Sequence, residues 1–170
     1  MTVFECRACH RAVTPPVTER PLPDPDTDDG WYRPQASPTD ALGHTDGPIV
    51  RMAPGTFAVD PAPSGPPYVL DGSSGLLVES GPSGTVVLHP GDGIGMEAHP
   101  DLAMRRGYCC GMDGEWGPNL VCACGAVLAT AYSDCYQVQE VRLQPDAVDR
   151  RDRPPGQRAD LHGAAGSDRP

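Results

Sequence analysis

Two short cysteine spacings, far apart in the chain, constrain its folding more than any other feature. Cys6 and Cys9 stand in ECRACHRAV, and Cys122 and Cys124 in LVCACGAV. Cysteines two or three positions apart on a tight turn present two sulfurs in one direction, which is half of a tetrahedral Zn²⁺ site. A CxxC followed by His10 is also the attachment signature of a c-type haem. Haem is disfavoured because Pro15 and Pro16 follow closely, so no helix can build a wall around His10. A dithiol redox centre at Cys6 and Cys9 would want a helix N-terminus beneath the pair, and HRAVTPP supplies no more than a turn. Zinc accounts for both pairs, through the ligands Cys6, Cys9, Cys122 and Cys124, with Gly125 where the second turn must tighten.

Two cysteine knuckles, each ending a short strand, resemble the zinc-ribbon family, in which a pair of hairpin turns clamps one structural zinc. The pattern departs from that family in having CxC as its second knuckle and a long insertion between the halves. The first departure leaves Cys110, in GYCCGMDG, as a substitute ligand for Cys122 or Cys124. Neighbours on a strand face opposite ways, so at most one of Cys109 and Cys110 is expected to face a metal. Cys135 has no close partner and reads as a small core residue. The segment CCGMDGEWGPNLVCACG also resembles stretches of actinobacterial cysteine-rich proteins. Arg as the sole basic side chain besides His, with no Lys, fits a GC-rich source.

The remaining composition limits the core. With 21 Pro, 20 Gly and two each of Phe and Trp in 170 residues, large apolar side chains are scarce, and a metal would compensate for a small core. The expected fold class is mainly β: a small β meander with a zinc-ribbon-like cysteine site, one short helix, and a disordered linker and tail. Residues 1–13 form the N-terminal knuckle, 14–48 a Pro/Asp-rich linker, 49–144 the β-rich domain with its C-terminal cysteine hairpin, and 145–170 the tail. GTFAVDP, PYVL, GLLVES and TVVLHP read as strands, and DGSSG and GPSG as turns between them. HPDLAMRRG reads as the one short helix, with Pro100 in its first turn and Gly107 as its stop. The tail, five Asp against five Arg, offers nothing to pack.

A formal charge of -10 disfavours phosphate backbones and anionic membranes as partners. MTVFECRACHRAV lacks the pattern of a secretory signal, and seven cysteines without one point to reduced thiols in the cytoplasm. DPDTDDG departs from a calcium loop in the position of its Gly and the lack of a closing Glu. The function expected is a non-catalytic zinc-binding adaptor whose partner is another protein, met through exposed strands and the Trp31–Tyr32 segment. The alternatives are a metalloenzyme with a second site at His89, Asp92 and His99, or a dithiol redox protein using Cys6 and Cys9.

Overall fold

The computed structural model describes residues 1–24, 49–135 and 137–152. The calcium-loop candidate beyond Asp24, the Trp31–Tyr32 segment and the tail from residue 153 lie outside the described residues. Among the described residues eleven strands carry the architecture: β1 (Thr2–Cys6), β2 (Thr18–Glu19), β3 (Thr56–Asp60), β4 (Tyr68–Leu70), β5 (Leu77–Glu79), β6 (Thr85–Leu88), β7 (Met96–Ala98), β8 (Leu120–Cys122), β9 (Val127–Tyr132), β10 (Glu140–Leu143) and β11 (Val148–Asp152). The fold is mainly β. Among the described residues no helix is long and apolar enough to cross a membrane.

The central sheet runs β2-β3-β6-β10-β9-β8-β7, so β7 to β10 form a meander in which each strand pairs with the next along the chain. Between β3 and β6 the chain leaves this sheet as a separate hairpin, β4–β5. DGSSG closes that hairpin as its composition predicts: the Asp71 carboxylate accepts hydrogen bonds from the amides and hydroxyls of Ser73 and Ser74. GPSG does not pair β5 with β6. Instead β6 lies between β3 and β10, where Val86 and Leu88 are buried on one face and Thr85 and Val87 on the other.

The two faces divide β10 by alternate residues. Val141 and Leu143 join the main core with Phe4, Phe57, Val13, Val17 and Leu128. Glu140 and Arg142, on the opposite face, are just as buried. Arg142 donates to Glu140 within its own strand, and across the sheet to Asp60 at 2.7 Å and Thr85 at 3.4 Å. Arg51 lies beside Glu140, with Nε 3.6 Å from Oε2. One face of the sheet is therefore oily and the other partly ionic.

A second ribbon, β1 with β11, packs across the sheet through the Phe4 ring, edge-on to Phe57 with centroids 5.1 Å apart. Two stretches read as linker and tail contribute here. Thr14 and Val17 are buried, and Val17 exchanges both backbone hydrogen bonds with Thr2. The tail is corrected over its first residues: Val148–Asp152 is a strand in register with β1, Cys6 opposite Val148 and Thr2 opposite Asp152. Its charges are compatible with a strand because this is an edge. Val148 alone is buried, the ladder uses backbone groups, and the charges pair in solvent as Arg7–Asp149, Arg151–Glu5 and Arg150–Glu19. Arg150 also lies over the Phe57 ring, 5.2 Å from its centroid.

The expected helix is a single 3₁₀ turn, Leu102–Arg105. Its cap is Asp101, whose carboxylate accepts from the Ala103 amide at 2.9 Å, so Pro100 precedes the turn instead of opening it. None of its residues is buried, and without packing a short helix gains too little to propagate.

Candidate metal centre

Both knuckles are built the same way. Cys6 ends β1, and its carbonyl accepts from the His10 amide while its own amide donates to Arg11. Cys122 ends β8, and its carbonyl accepts from the Gly125 amide while its amide donates to Ala126. The residue just after the second cysteine of each pair turns left-handed, His10 with φ 57° and Gly125 with φ 88°. CxC is thus CxxC with one residue removed from the turn. His10 serves that turn; histidine is among the non-glycine residues that enter this region with modest strain. His10→Gly is accordingly expected to keep the metal content and raise stability by about 1 kcal/mol, while His10→Val lowers it. Thermal melting of the two variants checks this.

The turns meet with their sulfurs interleaved. Cys6 Sγ lies 3.8 Å from Cys124 Sγ, and Cys9 Sγ 3.6 Å from Cys122 Sγ. All four ligand atoms lie within 4.8 Å of one another, forming a group that could hold a metal ion. A disulfide needs sulfurs about 2.05 Å apart, and all four thiols are free. Four sulfurs about 2.3 Å from a tetrahedral ion stand about 3.8 Å from each other. The observed separations are those of the second arrangement.

The four are not electrostatically alike. Cys6 and Cys122 are buried, while Cys9 and Cys124 reach solvent. Burial raises the Cys6 thiol, against the amides of Cys9 and Ala8 that point at its sulfur. Burial likewise pushes Cys122 up to about 12. Cys124 moves the other way, down to about 7, through the Ala126 amide and then the Cys9 and Cys122 thiols. A raised Cys6 is the reverse of what a reactive redox CxxC requires.

These shifts give the direction of the pH dependence expected if the group holds a metal. At neutral pH the buried pair carries protons that an ion must displace, whereas Cys124 is already half thiolate. Affinity should therefore rise with pH, by about 100-fold per unit between pH ~6 and ~8 from the buried pair alone, with Cys124 adding about another tenfold per unit below its own titration. Competition against a chromophoric chelator at several pH values reads this slope. A flat profile would contradict thiol ligation.

Cys110, the substitute ligand, is not in this group. It lies with Cys109, Asp134 and Cys135 in a second set whose donor atoms are also within 4.8 Å of one another. Both adjacent cysteines reach that set because Tyr108–Gly111 is a bend, where strand alternation does not apply. Cys135, expected in the core, is exposed. The glycines flanking the Cys109–Cys110 pair were the available sign of a second packed turn.

The metalloenzyme candidates do not converge: among the described residues only the two cysteine-containing groups bring three or more such donors together. The imidazole Nδ1 of His89 accepts from the Gly91 amide, and that of His99 from the Asp101 amide, each two residues further along the chain. The buried Asp92 accepts from the Gly55 amide at 2.7 Å. No family model, curated protein or solved structure matches the chain.

Proposed function

We propose that this protein is a non-catalytic interaction module whose fold is held by one structural zinc on Cys6, Cys9, Cys122 and Cys124. The observation that carries the reading is the spacing of the four sulfurs, 3.6 and 3.8 Å across the two knuckles, on turns that end strands of different sheets. An all-sulfur set on tight turns with no open position suits a structural ion. Reduced thiols of this kind belong to a cytoplasmic setting.

The β4–β5 hairpin supports the interaction half of the proposal. Tyr68, Val69, Leu70, Leu76, Leu77 and Val78 are all exposed, with Leu70 at 69% and Leu77 at 70%. Apolar side chains gathered on one hairpin, whose two strands pair only with each other among the described residues, are what a protein partner covers. The charge of -10 makes nucleic acid a poor alternative.

Two measurements test the proposal. After passage over a moderate chelator, the protein should retain one tightly held zinc per chain, with an X-ray absorption spectrum of sulfur ligation only. Replacing Leu70 and Leu77 with Asp should leave that zinc and the melting temperature unchanged, yet abolish recovery of the partner in parallel affinity purifications. Nitrogen or oxygen ligation of the retained ion would sink the first half, and an undiminished complex the second.

A further inference from the structure

The geometry points to a second metal site, separate from the first, in which Cys109, Cys110 and Cys135 supply three sulfurs and Asp134 a carboxylate oxygen to an exchangeable thiophilic divalent cation such as Zn²⁺. The four donor atoms lie within 4.8 Å of one another, although they come from two loops. Three sulfurs and one oxygen satisfy a tetrahedral ion, and their summed charge, once deprotonated, equals that of four thiolates.

The loops are held together by backbone packing that leaves no room for side chains. A Cβ on Gly107 would fall 2.9 Å from Asp134 Oδ2 in the other loop, besides 1.6 Å from the Gly111 carbonyl oxygen in its own, and one on Gly111 2.4 Å from the Ser133 carbonyl oxygen. Met112 donates its amide to the Ser133 hydroxyl and accepts at its carbonyl from the Ser133 and Asp134 amides. Asp134 is 1% exposed, and one carboxylate oxygen accepts from the Cys109 amide at 2.8 Å while the other lies 4.0 Å from Cys110 Sγ. A buried carboxylate oriented by an amide, beneath three exposed thiols, is a preformed floor with an open approach.

The exposure sets the difference between the sites. The first ion would have two ligands in the core, whereas here all three cysteines are exposed residues, which leaves the ion open to chelators and incoming ligands. Binding exchanges each thiol proton for a bond to the cation, and the protons pass to water without redox change.

The test is a Cd²⁺ titration of the full chain under reducing, oxygen-free conditions, followed by ¹¹³Cd NMR. Wild type should take up two ions and give two resonances, one of four-sulfur and one of three-sulfur-one-oxygen character. Cys135→Ser should take up one, lose the mixed-ligand resonance and melt at the wild-type temperature in the presence of the remaining ion. A single wild-type equivalent with only the four-sulfur resonance overturns the second site and leaves the first standing. A single equivalent with only the mixed resonance does the reverse. A disulfide among Cys109, Cys110 and Cys135 persisting in reductant also overturns it.

Discussion

Cys6→Ser is expected to abolish cooperative folding. Cys6 is fully buried at the end of β1, and its sulfur meets that of Cys124 from 118 positions away. An ion held between them joins the β1–β11 ribbon to the β8–β9 turn and closes most of the chain into one loop. Closing a loop of that length removes about 5 kcal/mol of chain entropy from the unfolded state in a simple cross-link model. Structural zinc contributes about 10–16 kcal/mol of apparent binding free energy in small domains, while whole domains are stable by about 5–15 kcal/mol. Losing the ion is therefore comparable to losing the fold. Near-ultraviolet circular dichroism and thermal melting should show no transition for Cys6→Ser, and the same loss when wild type meets a strong chelator. A variant melting within a few degrees of wild type would remove the structural role from the site. Cys9→Ser should be milder, since Cys9 reaches solvent and water can take its place.

Arg142→Met should be the most damaging change away from the cysteines. The guanidinium is the hub between Glu140 and Asp60, all three being buried in the face of β3, β6 and β10 away from the main core. Removing it leaves Asp60 and Glu140 buried without their common partner, with only Arg51 near Glu140 at 3.6 Å, which costs about 3–5 kcal/mol. That corresponds to a fall in melting temperature of more than ~10 °C for a domain of this size. The quadruple replacement Arg142→Met, Arg51→Met, Glu140→Leu, Asp60→Leu should recover much of the loss, because it also removes Arg51, which Glu140 faces at 3.6 Å, and the penalty lies in unpaired charge and not in missing volume. Melting of the single and quadruple variants with metal bound would decide it. Equal destabilisation in both would mean that the ionic face packs in a way apolar residues cannot replace.

Local chemistry was legible where it depended on neighbours in the chain. Cysteines two and three apart must share a turn, and the strand before each and the left-handed residue after each are properties of those few positions. The hairpin at DGSSG follows equally from Asp71 and the serines beside it. The mainly β character came from short β-branched runs between turn residues. These are signals a handful of adjacent side chains can carry.

What the tertiary structure alone decided concerns partners distant in sequence. VDRRD reads as a polyampholyte until β1 offers it a backbone edge, since a strand at a sheet margin needs only one buried residue. Nothing local to Glu140 and Arg142 announces that they are buried; Asp60 meets Arg142 across the sheet from 82 positions away. Cys135 reads as core filling until the loop at Gly107–Gly111 is laid against it, bringing Cys109 and Cys110 within a ligand's reach. The sequence by itself determined where turns and strands could form and that two knuckles each present two sulfurs. Which strands pair, and which charges and thiols meet, was settled by chain closure: such contacts become favourable only after distant segments share one core.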